Sequence, residues 1–389
     1  MTVTVPVPAA AALSSVRRLF DAEIERGLET GVQLSVSYRG QVVDLAVGDN
    51  GSGAPMTDDT YVPWTCSSKP LGAIAFARAW ESGALDLDTP VCKVLPEFTG
   101  GGKEGVRVRD LLTHTTGMPD PMLSVDADGA EAASWADIDA LIWAVICATP
   151  TETLPGAGMV YNPITNWFVL DRLLAAVNGA GPGDSYRELI SLLGLGAVLG
   201  TDPSLPADRL AVAGTSEDGA AGLEAMRLAS ALPLPGAGVW GPVRDLRVVG
   251  DLLLAGGTHR GTPLIGRASV EALTATHWPG SPYRSICDTD FPYGLGVMTL
   301  PSVFGRRCSA RTFGHAGGNT STLLVDPLFD LVVAVYWNGR LDDVKTFARR
   351  YALVRALYDD LGLPRLPVGR AARLPGGPGP DHESGQDPA

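Results

Sequence analysis

Two runs of β-forming residues stand near opposite ends of this 389-residue chain, and the simplest way to bury both is one sheet that joins the ends. In the first, Leu34-Ser-Val-Ser-Tyr38 and Val42-Val-Asp-Leu45 flank Arg39-Gly40 as the arms of a hairpin within Val32 to Val47. In the second, Ser321 to Trp337, Thr322 to Val325 and Leu331 to Tyr336 are separated by Asp326-Pro327. A helix borders each run. Ser14 to Leu28 sets Val16, Leu19, Phe20, Ile24 and Leu28 near helical spacing before Gly31, and Asp342 to Leu361 follows the last strand.

Residues 14–79 and 274–365 therefore read as one α/β lobe. Residues 80–273 read as a mostly helical lobe, with helices expected over Val108 to His114, Trp135 to Cys147, Asn166 to Val177 and Val243 to Leu254. Loops rich in Pro, Gly, Ala and Asp punctuate it at Thr149 to Gly158, Gly179 to Asp184 and Thr201 to Gly222. Residues 1–13 read as a flexible N-terminus. Residues 366–389 lack apolar periodicity and read as a disordered tail. The expected class is α/β (α+β): an antiparallel sheet flanked by the terminal helices, plus the helical lobe.

Thirty basic against 43 acidic residues give a net charge of −13, which argues against a nucleic-acid surface and suits a soluble protein with a small-molecule partner. Met1 to Ala12 lack a positive n-region and are interrupted by Pro6 and Pro8, so a secretory signal is a poor reading. No apolar stretch approaches the roughly eighteen residues of a membrane span. The expectation is a cytoplasmic chain with no membrane partner; the sequence leaves its oligomeric state open.

Five scattered cysteines, Cys66, Cys92, Cys147, Cys287 and Cys308, show neither zinc spacing nor close pairs, which fits a reducing compartment. His259, His277 and His382 have no partner at metal spacing and no His-Glu-x-x-His occurs, so neither metal nor cofactor is expected. Gly100-Gly-Gly-Lys103 is not a phosphate loop, because Glu97 occupies the first glycine position and Glu104 follows the lysine. No Gly-x-Ser-x-Gly elbow is present.

Of the cysteines, Cys66 alone has chemical company. A helix starting there, with Thr65 as N-cap and Gly83 as stop, sets Lys69 one turn later on the same face. Residues so spaced have Cβ atoms about 5–6 Å apart, and both the ammonium and the helix N-terminus favour a thiolate nucleophile. Standing alone, Cys66 would read as an inert packing thiol and Lys69 as a solvated helix lysine. The surrounding words change that weighting.

Tyr61 to Leu71, Leu85-Asp-Leu-Asp-Thr-Pro-Val91, Val94-Leu-Pro-Glu-Phe98 and Val108-Arg-Asp-Leu-Leu-Thr-His-Thr-Thr-Gly-Met118 follow one another. After them come Pro155-Gly-Ala-Gly-Met-Val-Tyr161, Pro235-Gly-Ala-Gly-Val239 before Arg244-Asp-Leu246, Tyr293-Gly-Leu-Gly296 and Phe313-Gly-His-Ala-Gly-Gly318. Together, over roughly residues 15 to 362, these resemble the serine β-lactamase and penicillin-binding-protein superfamily, most closely its class C and esterase-like branch. That family's motifs are Ser-x-x-Lys, a Tyr with a following Ser or Asn, and Lys-Thr-Gly or His-x-Gly. By position they become Cys66 and Lys69, Tyr161, and His315-Ala316-Gly317. The nucleophilic serine is thus a cysteine. Pro163 stands where the second motif carries a hydrogen-bonding side chain, leaving Asn162 and Asn166 as its candidate substitutes.

The resemblance implies a β-lactamase-like fold and covalent acyl transfer, with Cys66 attacking a carbonyl and the backbone N–H groups of Cys66 and Gly318 holding the oxyanion. It further implies Tyr161 as proton shuttle, His315 orienting the substrate or Tyr161, Gly317 at the substrate, and His114 in a structural turn. An acyl-cysteine is a thioester, which reacts with amines in preference to water more readily than an oxygen ester. The reading is therefore a transacylase acting on a small-molecule acyl donor and an amine or alcohol acceptor, in the manner of the superfamily's natural-product acyltransferases. An ester, amide or β-lactam hydrolase and a catalytically silent binding homologue are the alternatives.

Overall fold

The computed structural model describes residues 13–121, 135–200, 202, 204–212, 215–217, 219–280 and 290–366. Nearly all of the expected flexible N-terminus and disordered tail, together with Cys287, His382 and parts of the 201–222 loop, lie outside these residues. Ten helices are described: α1 (Ser14–Glu25), α2 (Lys69–Glu81), α3 (Val108–Leu112), α4 (Trp135–Ala148), α5 (Thr165–Asn178), α6 (Asp184–Leu193), α7 (Gly219–Ala231), α8 (Val243–Leu254), α9 (Arg267–Thr274) and α10 (Asp343–Asp360).

The main sheet has the order β2-β1-β11-β10-β9, all antiparallel. The hairpin strands β1 (Gly31–Tyr38) and β2 (Gln41–Gly48) lie beside β11 (Leu331–Trp337), β10 (Ser321–Asp326) and β9 (Phe313–Gly317). Val32 pairs with Trp337, so the two distant β-rich runs meet at the sheet's centre. Short strands complete the described set: β3 (Val62–Pro63), β6 (Val239–Gly241) and β4 (Val198–Leu199) form one ribbon. The others are β5 (Thr215–Ser216) with β12 (Gly339–Arg340), and β7 (Thr258–His259) with β8 (Thr262–Pro263).

Successive strand residues face opposite sides, and both sides of β10 and β11 are buried, which is why these strands read as continuous apolar runs. Val333, Val335 and Trp337 pack with Val16 and Phe20 of α1 and Leu353, Val354 and Leu357 of α10. Val332, Ala334 and Tyr336 join a second core with Leu246, Val249 and Leu252 of α8. Grouping by sequence puts α8 in the helical lobe; it lies instead against the sheet. A Cβ on Gly250 would come within 2.5 Å of Val332, so this approach requires a glycine. Polar residues of β1 complete the contact: Val243 N–H donates to Gln33 Oε1 (3.0 Å) and Arg247 Nε to the Ser35 hydroxyl (2.9 Å).

The helix N-terminus expected at Cys66 is different in kind. Thr65–Ser68 form a 3₁₀ turn and α2 begins at Lys69, with Pro70 in its first turn, where the missing N–H costs nothing. Thr65 is no cap; its φ is +44°. From Lys69 to Ala77 every residue of α2 is buried, making it the axis of the helical region.

Candidate active site

The Cys66 turn is built by long-range hydrogen bonds. Strand β3 leads into Trp64, whose N–H donates to Val239 O (2.9 Å) and whose indole donates to Gly241 O (2.9 Å). Thr65 then takes a left-handed conformation that is unfavourable for a β-branched residue. Contacts from β10 hold it there: the Ser321 hydroxyl donates to Trp64 O (2.6 Å) and meets the Thr65 hydroxyl at 3.1 Å. Ser67 Oγ donates to His315 O (3.1 Å), and Ser68 Oγ donates to Thr65 O (2.5 Å) while accepting from Gly236 N–H (2.8 Å). Both serines are buried and committed, whereas Cys66 is partly exposed. The turn's first bond runs from Ser67 N–H to Trp64 O, so the Cys66 N–H lies ahead of it and is not consumed by the helix.

Three groups converge on the sulfur. Cys66 Sγ donates to Gly236 O at 3.4 Å, and the Lys69 amine and the Tyr161 hydroxyl both interact electrostatically with it. Lys69 is fully buried, and its Nζ donates to Pro163 O (3.1 Å) and sits 5.3 Å from the centre of the Tyr161 ring. The main-chain carbonyl of Pro163 thus supplies the acceptor that the second motif lacks in its side chain. Burial pushes the Lys69 ammonium below its usual range, with Cys66 and Asp120 pulling the other way. Tyr161 is held well above its usual range by burial and by Cys66, so it keeps its proton at neutral pH. Asp120, which accepts from Thr165 Oγ1 (2.6 Å), is a buried carboxylate that sequence reasoning passed over.

His315 sits on β9, opposite Leu323 of β10. Burial, then the Lys69 charge, hold its ring well below the ordinary imidazole range, so it is neutral. Its Nδ1 is 2.8 Å from Ala316 O, a pure acceptor, which places the ring proton there. Nε2 then accepts from the Tyr293 hydroxyl at 2.8 Å. Tyr293 is entirely buried, and only its position across the fold reveals it as the partner of His315. Gly317 passes so close to the Cys66 turn that a Cβ there would lie 2.2 Å from Thr65 Oγ1 and 2.5 Å from Cys66 N. Gly318 follows in a left-handed conformation, φ +54°.

Behind that turn, the Arg349 guanidinium of α10 bonds the Glu29 carboxylate, the Asn319 carbonyl and Gly339 O (3.0 Å). Gly339 N–H donates to the other Glu29 oxygen. Helix α10 is thereby bolted to the residue after Gly318.

Asn162 and Asn166, expected as substrate-facing residues, are both fully buried, and their side-chain amide N–H groups are taken up inside the protein. Asn162 donates from its side chain to Met118 O (3.0 Å) and from its backbone to His114 Nδ1 (3.2 Å). Asn166 donates to Leu111 O (3.1 Å) and meets His114 Nδ1 at 3.2 Å. They brace His114, whose ring packs 4.5 Å from that of Tyr161. The structural role expected for His114 therefore consists of supporting the Tyr161 wall.

The chain is similar to several known proteins. Esterase EstB of Burkholderia gladioli is 32% identical over 107 residues, 26% of this chain and 27% of that protein. A putative D-alanyl-D-alanine carboxypeptidase of Escherichia coli (strain K12) is 24% identical over 298 residues, 68% of this chain and 65% of that one. The chain thus spans about a quarter of the esterase and just under two thirds of the carboxypeptidase. The solved structure of a penicillin-binding protein homologue from Caulobacter crescentus superposes with a TM-score of 0.72 at 25% identity, over 90% of this chain and 98% of that one. The family model described as Beta-lactamase matches residues 16–357, from α1 through the Cys66 turn and the His315 strand into α10. The chain belongs to the Beta-lactamase family.

Proposed function

We propose that this protein transfers acyl groups through a thioester on Cys66, from a small ester or thioester to an amine or alcohol acceptor in metabolite biosynthesis. The observation that carries this reading is that the Lys69 amine and the Tyr161 hydroxyl face one partly exposed sulfur and Gly317 lies against the backbone N–H of the same residue, while both neighbouring serines are buried. As the sulfur attacks, its proton passes through Tyr161 to Lys69, whose burial favours the neutral amine. The oxyanion forms against the N–H groups of Cys66 and Gly318. Tyr161 then returns the proton to the leaving group.

His315 is neutral, so the third motif brings no cation to the site. That supports an uncharged acyl donor over one recognised by its carboxylate. A hydrolase is the second reading, favoured by the stretch similar to Esterase EstB. The test is intact-protein mass spectrometry after brief exposure to an activated ester, a thioester and a β-lactam, run beside Cys66→Ala. The expected result is a Cys66-dependent acyl adduct from the ester or thioester, discharged faster when an amine is added. Discharge unaffected by amines makes the protein a hydrolase, and absence of any adduct makes it a silent scaffold.

A further inference from the structure

Gly236 O is the sulfur's hydrogen-bond acceptor at rest, and acylation removes the proton that occupies it. No other described residue donates to this oxygen. The loop is pinned so that the carbonyl cannot turn away: Gly236 N–H is held by Ser68 Oγ at 2.8 Å, and φ at Gly236 is +86°. Lys69 lies beside it, since a Cβ on Gly236 would fall 2.6 Å from Nζ and 3.1 Å from Pro163 O. In the acyl-enzyme, an unpaired carbonyl oxygen and the amine that removes protons therefore flank the same sulfur. Leaving a buried acceptor unpaired is costly, so the incoming nucleophile is selected by its ability to satisfy both.

Resting on the acyl-Cys66 reading, we propose that the Gly236 carbonyl selects acceptors carrying two hydrogens on the attacking atom, primary amines above all. The neutral amine nitrogen attacks the thioester carbon, forming the C–N bond, and the carbonyl π pair moves to oxygen. One N–H proton passes by way of Tyr161 to the Lys69 amine, and the other N–H stays bonded to Gly236 O. Collapse breaks the C–S bond and the thiolate takes a proton back from Lys69. The products are a secondary amide and the Cys66 thiol, which donates again to Gly236 O and displaces the amide N–H. A secondary amine or an alcohol has one hydrogen, which the base consumes, and leaves the carbonyl bare. Water also has two hydrogens; what separates it from amines is the intrinsic reactivity of the thioester.

The test uses the full chain, acylated with p-nitrophenyl butyrate and checked by intact mass for a Cys66 adduct. It is then divided among propylamine, azetidine and 1-propanol. Each rate is referred to the reaction of the same acceptor with S-butyryl-N-acetylcysteine methyl ester in solution. Azetidine is compact, so bulk does not explain its failure. The expected result is a referred rate for propylamine at least tenfold above those for azetidine and 1-propanol. An adduct that azetidine or 1-propanol discharges with a referred rate within threefold of propylamine overturns the role of Gly236 while leaving the acyl-enzyme intact. No adduct overturns both.

Discussion

Replacing Gly317 by alanine should separate the attack on carbonyl carbon from the reactivity of the sulfur itself. The new Cβ would lie 2.5 Å from Cys66 N and 2.7 Å from Ser67 N, where ordinary contact begins near 3.4 Å. These two atoms are backbone, so even if the Thr65 hydroxyl at 2.2 Å turns aside, β9 and the Cys66 turn have to part by about 0.9 Å. A displacement of that size in a positioned group costs on the order of 10²-fold in rate, and loss of one oxyanion donor costs a similar amount. Overpacking costs about 1–3 kcal/mol of stability, which a chain with this much buried core survives. Acylation is followed as the burst of p-nitrophenolate from an activated ester. Alkylation of Cys66 by iodoacetamide, which forms no oxyanion, is followed by mass. The expected outcome is an acylation rate lowered at least thirtyfold with alkylation changed less than threefold. An acylation burst within threefold of the parent would refute the placement of the oxyanion beside Gly317–Gly318.

Three further outcomes follow from the same geometry. Lys69→Met should abolish the rise of acylation rate with pH, because that rise reflects deprotonation of a lysine whose burial lowers its range; a pH–rate profile of the burst checks it. Asp171 is buried, accepts from Gly183 N–H (2.8 Å), and is pushed by burial from 3.8 to about 7, so its contribution to stability is present at low pH and is lost as pH rises through 7. Asp171→Asn should therefore raise the urea midpoint at pH 8 but not at pH 4, with a ceiling of about 4 kcal/mol, the free energy that holds a proton on a buried carboxyl up to about 7 rather than 3.8; parallel midpoints at both pH values would count against it. Arg349→Met strands the Glu29 carboxylate, whose side chain is 0% exposed, and should cost about 3–5 kcal/mol by urea unfolding; Glu29→Gln in the same chain should recover much of it.

What could be read along the chain was what repeats locally. The β-rich runs at both ends and the helices Val243–Leu254 and Asp343–Asp360 were legible because residue type and spacing write them directly, and the order Cys66, Lys69, Tyr161, His315 was legible through the resemblance of the surrounding words to a known family. Strand β9 was not, since Phe313–Gly317 has no alternation and becomes a strand by pairing with β10. The start of the Cys66 turn reads as a capped α-helix because Thr65 is a good cap by type. Its φ of +44° is instead imposed by Ser321, more than 250 residues away.

The partners of the reactive groups belong to the tertiary structure alone. Pro163 O and Gly236 O are main-chain atoms, which no residue type announces, and they take the places expected of side chains. Asn162 and Asn166 carried the right chemistry for the substrate, but Leu111, His114 and Met118 claim them across the helical region. Sequence by itself determined which candidate groups the chain carries and the order in which they occur. Only folding decided which polar atoms face the sulfur, because burial and hydrogen bonding are settled by neighbours brought together from opposite ends of the chain.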